Sequence, residues 1–172
     1  MITMKKIEYF LSAEKTISDI KSNGAFLVVK ADIDNRINTM TIGWASLGFM
    51  WGKPIMTVMV RKSRFTFQLI EKAASFTVSI PKDKLGKALS FCGTKSGRDF
   101  DKFKECNLVT IPAKSVPTPI IHIPGAHYEC KIVCKSEMNP DLLCKEYKKI
   151  NYADNDFHTF YFGEIIEYYD IN

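Results

Sequence analysis

Two short stretches of the chain gather cations and hydroxyls closely enough to do chemistry. Arg61-Lys62-Ser63-Arg64-Phe65-Thr66 sets three positive side chains and two hydroxyls at the start of a helical pattern. Helix amides together with arginine make a phosphate site without further apparatus. The plain alternative is a capped helix with a solvated first turn. Cations there oppose the helix dipole by some tenths of a kcal/mol each, a conflict that a bound anion removes. Residues 91–103, from Phe91 to Phe103, hold Gly93, Gly97, Thr94 and Ser96 with the cations Lys95, Arg98 and Lys102. A donor-rich break after a helix suits an anion. The same composition suits a solvated surface loop, in which Arg98 pairs with Asp99 or Asp101.

A third stretch, Asn38-Thr39-Met40-Thr41-Ile42-Gly43-Trp44-Ala45-Ser46, is polar for a barrel strand. Its Asn and Thr side chains can hydrogen-bond a planar heterocycle or a polyol chain, and they suit a half-buried strand equally well. His122, His127 and His158 are too scattered for a metal triad. No Ser-His-Asp set or carboxylate pair stands out, and Gly93–Gly97 lacks the Gly-x-x-x-x-Gly-Lys spacing of a nucleotide phosphate loop. These residues therefore give no metal site.

The elements that must position these residues are mostly strands. Apolar or alternating runs predict strands at 25–31, 38–46, 54–61, 75–80, 127–137 and 157–169. The 54–61 run is apolar on both faces and is expected in the centre of a sheet. Helices are expected at 65–73, with Ser63 as N-cap, and at 84–91. A proline-rich passage from Ile111 to Gly125 crosses the surface between them and the closing strands. Many short strands interrupted by two helices imply a mainly β fold, a closed or partly closed antiparallel β-barrel with flanking helices.

The bulk numbers bound the function. The 172 residues suit one domain, 1–172, and 46% hydrophobic with 25% charged residues is ordinary for a soluble globular protein. The net charge of +5 is spread among acidic residues, unlike the one-sided basic footprint of a nucleic-acid binder. Five cysteines, an odd number without a Cys-x-x-Cys pair, and a start lacking a signal peptide's apolar run point to free, buried thiols in the cytoplasm. No run approaches the roughly 20 apolar residues of a membrane span.

Taken in order, the segments resemble the flavin reductase-like family, the FMN-binding split barrels that include flavoredoxin. The likeness runs from about residue 20 to 169. It rests on Asn38-Thr39-Met40-Thr41 with Trp44 and Ser46, Pro54-Ile55, Arg64-Phe65-Thr66 with Leu69-Ile70, and Phe76-Thr77-Val78-Ser79-Ile80-Pro81. It continues through Ser96-Gly97-Arg98-Asp99, Asp101-Lys102-Phe103, Glu129-Cys130 and Phe162-Gly163-Glu164-Ile165.

The resemblance implies a split β-barrel homodimer holding FMN near the subunit interface. Asn38, Thr39, Met40, Thr41 and Trp44 would line the flavin and its ribityl chain. Arg61, Ser63 and Thr66 would approach the phosphate, with Ser96 and Lys102 from residues 91–103, while His127 and Phe160 would add contacts from the closing strands. His158 is a weaker candidate, on the nicotinamide or substrate side. By the same resemblance the flavin carries the redox chemistry and no side chain need act as acid or base. NAD(P)H would supply electrons, and free flavin or a partner protein would receive them. The alternative is an FMN-binding or storage protein without turnover, and a haem- or pyridoxamine-phosphate-related split barrel is more remote.

Overall fold

The computed structural model of the chain describes residues 5–6 and 9–172. In order its elements are β1 (Lys5–Lys6), α1 (Tyr9–Asn23), β2 (Ala25–Lys30), β3 (Ile37–Ile42), β4 (Ala45–Met50) and β5 (Lys53–Arg61). Then come α2 (Phe65–Ile70), β6 (Ser75–Pro81), α3 (Gly86–Thr94), α4 (Lys102–Glu105), β7 (Thr110–Ile111) and β8 (Ile120–Ile121). The long β9 (Gly125–Glu137) and β10 (His158–Ile171) close the chain, with α5 (Lys145–Asn151) between them.

Seven strands form one path, β3-β2-β6-β9-β10-β5-β4, with β1 added on β10 and β7–β8 a separate hairpin. Every pairing among the described residues is antiparallel. β3 and β4 end opposite edges of that path, yet only Gly43 and Trp44 separate them in sequence. So short a connection forces the edges together, and the sheet curls into a split barrel, as expected. The 38–46 run is therefore two strands with a corner, not one.

Side-chain alternation explains which faces close. On β2, Leu27 and Val29 point into the main core with Val58, Val60, Val78 and Tyr161. Phe26 and Val28 face the other way, onto Leu89 and Cys92 of α3 and onto Ile121. β2 is thus buried on both faces, and it is this second face that fixes α3 beside β3. β5, expected in the centre, lies inside the sheet between β10 and β4.

The helices depart from the sequence reading. α2 stops at Ile70, and Arg64 occupies its N-cap position without a side-chain cap bond. Ser63 is not the cap, because its backbone N–H and hydroxyl both donate to the carboxylate of Asp156 (3.1 and 2.5 Å). α3 runs on to Thr94, so the first residues of 91–103 are helical. α4 starts inside the same stretch because the Asp101 carboxylate caps it, accepting from the amides of Phe103 and Lys104. α1, α4 and α5 have no forerunner in the sequence reading. Cys92 and Cys130 are buried as expected, whereas Cys106 and Cys134 are half-buried and Cys144 is exposed.

β10 crosses the core at Gly163, where a Cβ would stand 2.5 Å from Cζ of Phe76 and 2.7 Å from Cβ of Cys130. Phe76 is fully buried in the main core, so its ring yields only by displacing core neighbours. Gly163→Ala is expected to destabilise the protein by about 1–3 kcal/mol. The check is a lower urea midpoint with an unchanged slope.

Candidate functional site

Along β5 the two-residue period puts Met59 and Arg61 on one face, and the register sets Arg61 opposite His158 and Met59 opposite Phe160. The Gly43–Trp44 corner brings Met40, Thr41 and Trp44 to the same place, giving a cleft of about 190 Å³ that Arg64 also lines. Trp44 sits 5.4 Å from His158, ring centre to ring centre. A smaller cavity of about 90 Å³ adjoins it, with Met40 and Arg64 common to both walls. Its wall holds Arg64, Lys95, Arg98 and Lys102 and, among the described residues, no carboxylate. Two larger spaces have no such bias: one of about 300 Å³ under α1 sets Asp19 and Asp170 against Lys15 and Lys82, and one of about 480 Å³ beyond Gly97 sets Asp99 and Asp101 against Arg36, Arg98 and Lys102.

Lys102 is the most unusual of these cations, since only 4% of it is exposed. Its ammonium donates to the carbonyls of Cys92 (2.8 Å) and Thr39 (3.0 Å), near the C-terminal end of α3, where positive charge is favoured. No carboxylate among the described residues pairs with it. Burial pushes its pKa down, and nearby Arg64 pushes the same way. An ammonium has three N–H donors, so one remains for a ligand in the cavity.

The polar side chains of β3 mostly build the wall. Asn38 donates to the Thr66 hydroxyl (2.8 Å), Thr39 to the Leu27 carbonyl (3.2 Å) and Thr41 to the Leu89 carbonyl (2.6 Å). Asn38, Thr41, Met40, Thr66 and Ser96 border the two spaces, whereas Thr39 is fully buried beneath them. Gly97 packs so closely that a Cβ there would lie 2.3 Å from Oδ1 of Asn38. Arg98 pairs with neither Asp99 nor Asp101. It donates to the Ser63 carbonyl (3.1 Å) and lies over the ring of Phe65, joining residues 91–103 to the start of α2.

Arg61 is held by the segment before β10, donating to the carbonyls of Asp156 (2.7 Å) and Asn151 (2.8 Å) and lying over the Tyr152 ring. Tyr152 shares a 2.7 Å hydrogen bond with Nδ1 of His158. Burial, reinforced by Arg61, pushes the His158 pKa down to about 4, so the ring is neutral near pH 7.

Besides Thr39, two expected contacts lie outside both spaces. His127 faces Tyr169 in the β9–β10 register, eleven residues along β10 from His158, or on the order of 35 Å along the strand. It is fully buried and bonds to Ser79 and the Ile123 carbonyl (both 3.0 Å). That is an interior histidine, whose pKa burial pushes down to about 4. Phe160 shares His158's face of β10 but is outside the cleft wall. Conversely, Arg64, Lys95 and Met59 line the site without having been singled out as contacts. Arg64 was detectable as the residue immediately before a helical run.

The sequence matches the family described as flavin reductase like domain over residues 21–171. The chain belongs to the flavin reductase-like family. It is 28% identical over 129 residues to an uncharacterised protein of Archaeoglobus fulgidus, across 75% of this chain and 63% of that one. The matched stretch is thus less than two thirds of that relative's length. Among solved structures, flavoredoxin of Desulfovibrio vulgaris (Miyazaki F) superposes with a TM-score of 0.66 at 25% identity, covering 87% of this chain and 70% of the other. An FMN-binding domain of a flavin reductases-like enzyme from Shewanella baltica gives a TM-score of 0.67 at 18% identity, covering 98% and 78%, and shares the split-barrel fold.

His127 and His158 each resist protonation down to about pH 4 in the native state, whereas an unfolded histidine takes its proton near pH 6.5. Between those values the unfolded chain binds more protons. Stability is therefore complete above about pH 6.5 and falls as pH drops toward 4, by on the order of 2 kcal/mol per histidine. Urea melts at pH 7 and pH 5 should show a smaller loss on acidification for His158→Gln than for the unaltered chain.

Proposed function

We propose that the chain is an FMN-dependent oxidoreductase of the flavin reductase or flavoredoxin type. The observation that carries this reading is the adjoining pair of cavities, one lined among the described residues by cations and no carboxylate, the other walled by Trp44, Met40 and Met59. A phosphate suits the first, and a flat heterocycle suits the second. When bound, the flavin would supply hydride acceptance and electron transfer.

The protein's own residues set the conditions. Lys102, Arg64 and Lys95 neutralise phosphate charge, with Ser96 and the backbone around Gly97 at hydrogen-bonding reach of the same space. Arg61 and Arg64 favour added negative charge in the larger cleft. Neutral His158, oriented by Tyr152, offers one ring nitrogen toward whatever enters beside Trp44. Electrons would come from NADH or NADPH and pass to free flavin or a partner protein. A second copy of the chain would complete the site, since Trp44, Phe49 and Trp51 along or beside the β4 edge are exposed. Free thiols suit a reducing cytoplasm. No helix of the described residues is long and apolar enough to cross a membrane.

The test is to titrate flavin-free protein with FMN and then add NADH or NADPH under nitrogen. Loss of the visible flavin absorbance supports a reductase. Retained absorbance on tightly bound FMN supports the storage alternative, and no binding removes the flavin reading. Arg64→Ala is expected to weaken FMN roughly 10- to 100-fold, as loss of a charged hydrogen bond does, and to weaken riboflavin, which has no phosphate, much less. Equal losses for the two ligands would separate Arg64 from the phosphate.

A further inference from the structure

Cys92, in the last turns of α3, and Cys106, at the C-terminal end of α4, hold their sulfurs 4.0 Å apart as free thiols. They bracket Lys102 from both sides. The Cys106 amide donates to the Lys102 carbonyl (3.1 Å), and the Lys102 ammonium donates to the Cys92 carbonyl (2.8 Å). The segment between the two cysteines contains Lys95, Ser96, Gly97, Arg98 and Lys102, the donor-rich part of the small cavity's wall. A bond between these sulfurs would staple that segment at its base.

We propose that Cys92 and Cys106 form a reversible disulfide that locks residues 93–105 and resets Lys102. The sulfurs already touch, and bonding at about 2.05 Å needs roughly 2 Å of closure between α3 and α4. A peroxide is a suitable oxidant. The half-buried Cys106 thiol reacts first, giving a sulfenic acid and one water. The sulfur of Cys92, which is almost fully buried, then attacks that sulfur. Hydroxide leaves, takes the Cys92 proton and departs as a second water. Two thiols lose two electrons and two protons, and the peroxide O–O bond is reduced to two waters. A dithiol such as dithiothreitol reverses the change.

The experiment uses the full chain without flavin, so its outcome is separate from that of the proposed function. Cys144→Ser removes the exposed thiol as a source of intermolecular bridges. Hydrogen peroxide should then lower the intact mass by two hydrogens, and peptide mapping should join Cys92 to Cys106. Dithiothreitol should restore the mass, and a further Cys106→Ser change should abolish the bridge. Amide exchange across 95–105 should slow at least threefold in the oxidised form. A bridge using Cys134, overoxidation without a bridge, or unchanged exchange on bridging would each overturn the proposal.

Discussion

A buried lysine ammonium, held among the described residues by carbonyls and no carboxylate, is the constraint around which the rest of the site is arranged. Burying an ammonium costs several kcal/mol unless its donors are met and its charge is answered. The carbonyls of Thr39 and Cys92 meet two donors of Lys102, but they carry no net charge. Arg64, Lys95 and Arg98 crowd the same small cavity and add to the imbalance. On the proposed reading, a dianionic phosphate would answer both problems at once.

The sheet delivers that wall through two features. Its curl brings the Gly43–Trp44 corner, at the junction of the two edge strands, beside the start of β10 and the end of β5. Burial of β2 on both faces then anchors α3 where its final carbonyls reach Lys102. The hydroxyls of Thr39, Thr41 and Ser63 and the amide of Asn38 are spent holding these pieces together. What is left to face a ligand is mainly cationic or aromatic. The proposed recognition would thus divide into charge for a phosphate and flat apolar surface for a ring.

Much of the barrel was legible in the chain because its strands carry unmistakable apolar runs, as at Ala25–Lys30 and Lys53–Arg61. The three stretches that meet at the site were also readable, since each combines residue types that ordinary elements avoid. The depth of Lys102 was not, because a single lysine in a polar segment looks solvated until α3 and β3 are seen to cover it. Nor was α4, whose four residues depend on the Asp101 cap rather than on any period. His127 misled because it falls on a closing strand, and only the β9–β10 register reveals that it sits near the other end from His158. Arg98 looked like a partner for its acidic neighbours, yet it reaches across the fold to Ser63.

The proposed contact between Lys102 and a flavin phosphate is tested most directly by a crystal structure of the FMN-loaded chain. The phosphate should lie in the cavity between Gly97 and Arg64, with one oxygen about 2.7–3.2 Å from Nζ of Lys102 and the flavin ring against Trp44. A phosphate in open solvent, or an FMN bound elsewhere while Lys102 keeps only its two carbonyls, would contradict it.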